Sequence, residues 1–182
     1  MGHVAVAYLL YVGSTRIRSV GRPPAWPAVA LCIGSQIPDL IDKPLGWYTG
    51  VLPTGRSLAH SLLFVVPLCL LVMGVLSLRD RSEYGVAFAV GAISHSLADS
   101  IPVLWSSDAT ASFLLWPYLS VEPYEGSAPS PVEMLLSTLT EPYFLSQFVL
   151  FAVAVMVWRA DGYPGLSLLQ QALPTNRYLQ TS

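Results

Sequence analysis

The sequence predicts an all-α fold: a polytopic transmembrane helical bundle, one domain over residues 1–182, with short N-terminal helices and about three clear spans. Three observations predict it. The chain is 53% hydrophobic and 11% charged, less than half the roughly 25% charged residues of soluble domains. The uncharged run Ser61 to Leu78 is long enough for a bilayer span. Short charged turns such as Arg79-Asp80-Arg81-Ser82-Glu83 join such runs into helical hairpins. The formal charge of -2, without basic clusters, excludes a nucleic-acid binder. Cys32 and Cys69 stand singly in apolar runs, which suggests neither a disulfide framework nor a zinc-thiolate site. Both read as small core residues. No basic n-region precedes the first apolar stretch, so the spans themselves are expected to direct insertion.

Taken in order, His3 to Val12 is apolar but short of the roughly 20 residues that cross a bilayer, so a first helix is short or partly inserted. A polar turn from Gly13 to Pro24 carries Arg16, Arg18 and Arg22. A second short helix runs from about Ala25 to Ile37, where Pro38 and Pro44 discourage continuation and leave Asp39 and Asp42 at a helix end. Glycines and Pro53 make 45–55 a loop. Thr54 is a plausible N-cap for a third helix reaching Leu78, which would put Arg56 and His60 one turn apart on its first face. A fourth helix runs from Tyr84 to roughly Leu104 and carries His95 and Asp99 at i and i+4. The segment 105–142 is acidic and proline-rich, and Ser130-Pro131-Val132-Glu133 matches a capping box opening a short interfacial helix to about Thr140. Tyr143 to Trp158 is the last span, and 159–182 a polar tail.

Lysine and arginine concentrate in the 14–24 turn, the 79–83 turn and at Arg159. Placing these in the cytoplasm sends the acidic segment outside. His3, Asp39, Asp42, His60, His95 and Asp99 then meet at one level on the extracytoplasmic side. All three histidines of the chain and three of its eleven acidic residues are among them.

A mixed His/Asp set without thiolate suits zinc, manganese or iron, and a divalent metal explains ionisable groups tolerated near lipid. Each residue alone has a plainer reading: a hydrogen-bonded core histidine, a capping aspartate, or an arginine that snorkels to headgroups. Joint placement favours the site. A Ser-His-Asp triad using Ser61, Ser96 or Ser100 is arithmetically available, but no strand or GxSxG elbow surrounds these serines.

Gly2-His3, Ile37-Pro38-Asp39-Leu40-Ile41-Asp42, Gly55-Arg56-Ser57-Leu58-Ala59-His60-Ser61 and Ser94-His95-Ser96-Leu97-Ala98-Asp99-Ser100, in this order, resemble the YdjM-like family of membrane-bound, metal-dependent hydrolases. The likeness spans most of residues 1 to 120. It implies His3, Asp39, His60, His95 and Asp99 as metal ligands. Two departures stand out: the second acid, Asp42, comes one place later than in the family's Pro-Asp-x-Asp element, and Ser57 replaces the glycine after the arginine.

The function expected is hydrolysis of an ester or phosphodiester, plausibly of a membrane lipid, at a zinc or manganese site. Arg56 would hold an anionic substrate group, since its fork matches phosphate oxygens, and Asp42 would be the general base if it is not a ligand. The rival is a non-enzymatic membrane protein whose same groups form a buried polar network or a path for ions or protons.

Overall fold

A computed structural model describes residues 2–104, 109–123, 130, 132, 136 and 142–168. Among these the chain is helical, with no strand. The α-helices described are α1 (Gly2–Ile17), α2 (Ala25–Lys43), α3 (Leu62–Ser77), α4 (Ser82–Ser100) and α5 (Pro142–Ala160). A π-helical turn, Pro44–Tyr48, extends α2, and short 3-10 turns occupy Ile101–Leu104 and Ser112–Leu115.

α4 is the hub, packed against α1, α2 and α3, while α5 lies against α1. Its buried face is made of small residues, among them Gly85, Ala87, Ala89, Gly91 and Ala92, which let neighbouring backbones come close. The crossing with α2 is tightest: a Cβ on Gly34 would stand 2.2 Å from the Phe88 carbonyl oxygen, and one on Gly91 2.4 Å from that of Leu31. Only glycine fits at either place. Outside, the pattern reverses that of a soluble domain. α3 buries only Val65 and Cys69 and exposes Leu63, Leu70 and Leu71, while α5 exposes Val149 and Met156. Such apolar exteriors suit contact with lipid. Among the described residues one helical stretch, Ser82–Leu104, is long and apolar enough to cross a membrane; Leu62–Ser77 and Leu145–Ala160 are apolar but shorter.

The basic turns gather at one end of the bundle. Arg18, just past α1, pairs with Glu83 at the start of α4, whose carboxylate also accepts from the Tyr11 hydroxyl at 3.0 Å. Asp161, just past α5, accepts from the Tyr8 hydroxyl at 3.1 Å and lies 3.9 Å from Arg16. These tethers explain why α1 runs five residues beyond its apolar stretch, to Ile17.

Three expectations are corrected. Pro38 does not end α2: it is buried inside the helix, where packing on α4 outweighs the one backbone hydrogen bond that proline forfeits. Asp39 and Asp42 therefore stand on a continuous helix. Thr54 does not cap α3, which begins at Leu62 with Ser61 as its cap, the Ser61 side chain accepting from the Leu63 N–H. Arg56 and His60 consequently lie on the loop before α3. Cys32 is exposed, while Cys69 is buried as anticipated. The interfacial helix expected over Ser130 to Thr140 lies, but for three positions, outside the described residues, as do 105–108 and 124–129 of the acidic segment around it and the end of the tail.

Candidate metal centre

The site lies at the end of the bundle opposite the basic turns, and α2 builds it. Asp42 is fully buried. Its Oδ2 accepts from the Ser57 N–H at 2.8 Å and the His60 N–H at 3.1 Å, and its Oδ1 from the Ala59 N–H at 2.8 Å. A carboxylate that satisfies three consecutive-loop amides holds that loop open rather than helical, which is why α3 starts after His60. The same Oδ2 stands 2.8 Å from His60 Nδ1. With both oxygens engaged and no exposure, Asp42 stands behind the imidazoles and holds both the loop and the His60 ring.

His60 and His95 are fully buried, and their outer nitrogens fix their tautomers. His60 Nδ1 faces the Asp42 carboxylate, and His95 Nδ1 faces the Ser35 carbonyl oxygen at 2.6 Å. Both partners only accept, so each Nδ1 carries the hydrogen. In the neutral rings both Nε2 atoms are bare, and they point at each other across 3.2 Å. Asp39 Oδ1 completes a triangle, 3.5 Å from His60 Nε2 and 3.6 Å from His95 Nε2. Three lone-pair donors in a buried space repel unless a cation lies among them. Tetrahedral zinc bonds of about 2.0 to 2.2 Å set neighbouring donors about 3.3 to 3.6 Å apart, the edge lengths seen here. Ring nitrogens donating outward to a carboxylate and a carbonyl are the usual second layer of a metal site.

Asp99 and His3 extend the cluster. Asp99 Oδ2 lies 3.4 Å from His60 Nε2, and Asp99 Oδ1 3.4 Å from His3 Nε2. His3 stacks on His95 with ring centroids 4.0 Å apart, and its Nδ1 is buried without a hydrogen-bond partner among the described residues. Two donor triads result, Asp39–His60–His95 and His3–His95–Asp99. His60, on the loop outside the helices, feels burial pulling its pKa down. Hydrogen bonds to Asp39, Asp42 and Asp99 outweigh burial and leave it pushed up to about 10. A proton thus takes the cation's place when no metal is bound.

Two cations flank the donors on the exposed side. Arg56, half exposed, places Nε 2.9 Å from Asp99 Oδ2. Lys43 Nζ lies 2.5 Å from Asp39 Oδ2 and 5.4 Å from the centre of the Trp47 ring. Lys43 escaped the sequence reading, although its i, i+4 spacing from Asp39 becomes a signal once α2 is known to pass through Pro38. Two serines of the triad reading are engaged elsewhere: Ser61 Oγ donates to the Trp116 carbonyl at 2.6 Å and Ser100 Oγ to that of Leu97 at 2.7 Å. Ser96 Oγ is buried without a hydrogen-bond partner among the described residues. Phe113 sets its ring edge against His60, centroids 6.2 Å apart.

All seven residues singled out from the sequence thus fall in one cluster, five as inward donors, Asp42 behind them and Arg56 in front. No curated protein and no solved structure matches the chain. A family model, YdjM inner membrane protein, matches residues 1–169, which include every residue of the cluster. The chain therefore belongs to the YdjM inner membrane protein family and is a protein of the inner membrane.

Proposed function

We propose that the protein is a polytopic inner-membrane hydrolase, dependent on a divalent metal and acting on an ester or phosphodiester of a membrane lipid from the extracytoplasmic side. One observation carries the metal: two buried imidazoles, both tautomers fixed from behind, turn bare Nε2 atoms toward one another and toward Asp39 Oδ1. Zinc or manganese held there would supply Lewis acidity and lower the pKa of water near an ester or phosphoryl oxygen. His60, His95 and Asp39 are its holders, with Asp99 and His3 in reach. Asp42 and Ser35 fix the two rings. Arg56, at the open side, holds an anionic substrate group. Support for the orientation comes from the arginine-bearing turns collected at the far end of the bundle. Support for further spans comes from the apolar exteriors of α3 and α5.

A metal-free polar network is the second reading, favoured by the protonated state to which three carboxylates hold His60. Metal analysis of protein purified in detergent without chelator decides between them. Stoichiometric metal, lost in His60→Ala and kept in Arg56→Lys, supports the hydrolase. Protein that carries no metal and gains no thermal stability from zinc or manganese overturns it.

A further inference from the structure

Resting on the metal-dependent reading, we infer that the bond cleaved belongs to a phosphodiester, whose single negative charge is gripped by Lys43 together with Arg56, rather than to an uncharged carboxylic ester. Charge balance carries the first half. Asp39 and Asp99 each pair with a cation, and Asp42 accepts from N–H groups of the loop. Against these three carboxylates stand Lys43 and Arg56, with the histidines neutral when their Nε2 atoms act as donors to a metal. One negative charge is left over, and a divalent ion converts it to one positive charge. Uncompensated charge is costly in a site this buried. The ligand that neutralises it carries one negative charge: a phosphodiester does, a carboxylic ester carries none, and a phosphomonoester approaches two.

Geometry carries the second half. Each flanking carboxylate joins imidazole to cation, Asp39 turning Oδ1 to the imidazoles and Oδ2 to Lys43, Asp99 turning Oδ1 to His3 and Oδ2 to both His60 and Arg56. Lys43 therefore sits beside partly exposed Asp39, at 22% side-chain exposure, and half-exposed Arg56 beside buried Asp99. Arg56 spends its Nε on Asp99, and among the described residues its terminal nitrogens meet no partner, which leaves a fork suited to two phosphoryl oxygens. Lys43, held on Asp39, adds a point charge. Hydrolysis adds the hydroxyl of water to phosphorus and breaks one P–O bond, and the leaving alcohol takes the proton. The phosphomonoester formed overfills the site with negative charge, which favours its release.

The test is binding to zinc-saturated protein in detergent micelles, read by calorimetry. The ligands are dihexanoylphosphatidylglycerol, dihexanoylglycerol, dihexanoylphosphatidic acid and deacylated glycerophosphoglycerol. The phosphatidylglycerol should bind at least about tenfold tighter than dihexanoylglycerol or the phosphatidic acid. Lys43→Gln and Arg56→Gln should each weaken it about tenfold or more, the worth of a charge-assisted hydrogen bond, with zinc content held at the wild-type value, and Lys43→Arg should restore it. Glycerophosphoglycerol binding as tightly as the lipid supports the phosphodiester and assigns it to a soluble molecule. Equal binding of dihexanoylglycerol, or variants that lose zinc while ligand affinity per loaded protein is unchanged, overturns the inference and leaves the hydrolase reading standing. Failure of the wild type to take up zinc removes that reading itself.

Discussion

One oxygen of Asp42 accepts from both the main-chain N–H and the ring Nδ1 of His60, at 3.1 and 2.8 Å. Backbone position and ring orientation of the same residue are thereby set by a single buried atom. Any change at Asp42 displaces the His60 Nε2 twice over, through the loop and through the tautomer.

Asp42→Asn keeps the volume but replaces an acceptor with an amide that faces N–H groups. Metal affinity should fall about 10- to 100-fold, the usual cost of losing a partner behind a ligand. Competition against a chromophoric chelator measures this; affinity within twofold of wild type would mean that His60 is oriented without Asp42.

The two helices that carry Ser35 and His95 meet at Gly34 and Gly91. Gly34→Val places side-chain atoms where the Phe88 carbonyl already stands, and overpacking of this kind costs about 1–3 kcal/mol. Because Ser35, the next residue, anchors His95 Nδ1, bound metal should fall along with the thermal midpoint. Metal content that survives a lowered midpoint would separate the crossing from the site.

His60 yields a pH dependence of definite sign. In metal-free protein its pKa lies near 10, above the unfolded value of 6.5. The stabilisation is therefore complete below about pH 6.5 and is lost as pH rises through 10. The thermal midpoint of chelator-treated protein should decline from pH 7 to 10. Zinc uptake at pH 8 should release a proton from His60, read in a weakly buffered titration. A flat profile together with proton-neutral uptake would show that His60 is neutral before the metal arrives.

Orientation is open to thiol labelling in a background where Cys32 and Cys69 are replaced. A cysteine at exposed Thr49, in the loop before Arg56, should react with an impermeant reagent added to intact cells whose outer membrane is permeabilised. One at exposed Ser19 should react only once the inner membrane is opened. The opposite pattern inverts the protein but keeps the site residues on one face.

Helix positions and the gathering of histidines were legible because apolar runs and their lysine and arginine borders follow from lipid solubility alone. Residues such as His95 and Asp99, on a helix whose ends the sequence marks clearly, were placed on the right element. What escaped depended on contacts between segments. Pro38 reads as a stop until α4 is packed against it, and Arg56 and His60 read as helical until Asp42 takes their neighbours' amides. Lys43 was invisible as a site residue for the first of these reasons. The hold of Asp42 on the loop was hidden for the second, since no spacing rule tells a carboxylate that faces the cavity from one that faces a loop.

The central role of α4 also dictates an order of biosynthesis. On the polytopic arrangement, α2 emerges from the ribosome carrying Asp39, Asp42 and Lys43, while the groups that offset its carboxylates on the loop and on α4 are still unmade. An aspartate costs roughly 2.5 to 3.5 kcal/mol at mid-bilayer and less toward a helix end, and α2 carries two of them near its end, so it is a poor passenger by itself. It settles when α4 arrives with the small-residue face that receives it. Nascent chains cut short before Ser82 should accordingly leave α2 accessible to water, and those extended past Ser100 should not.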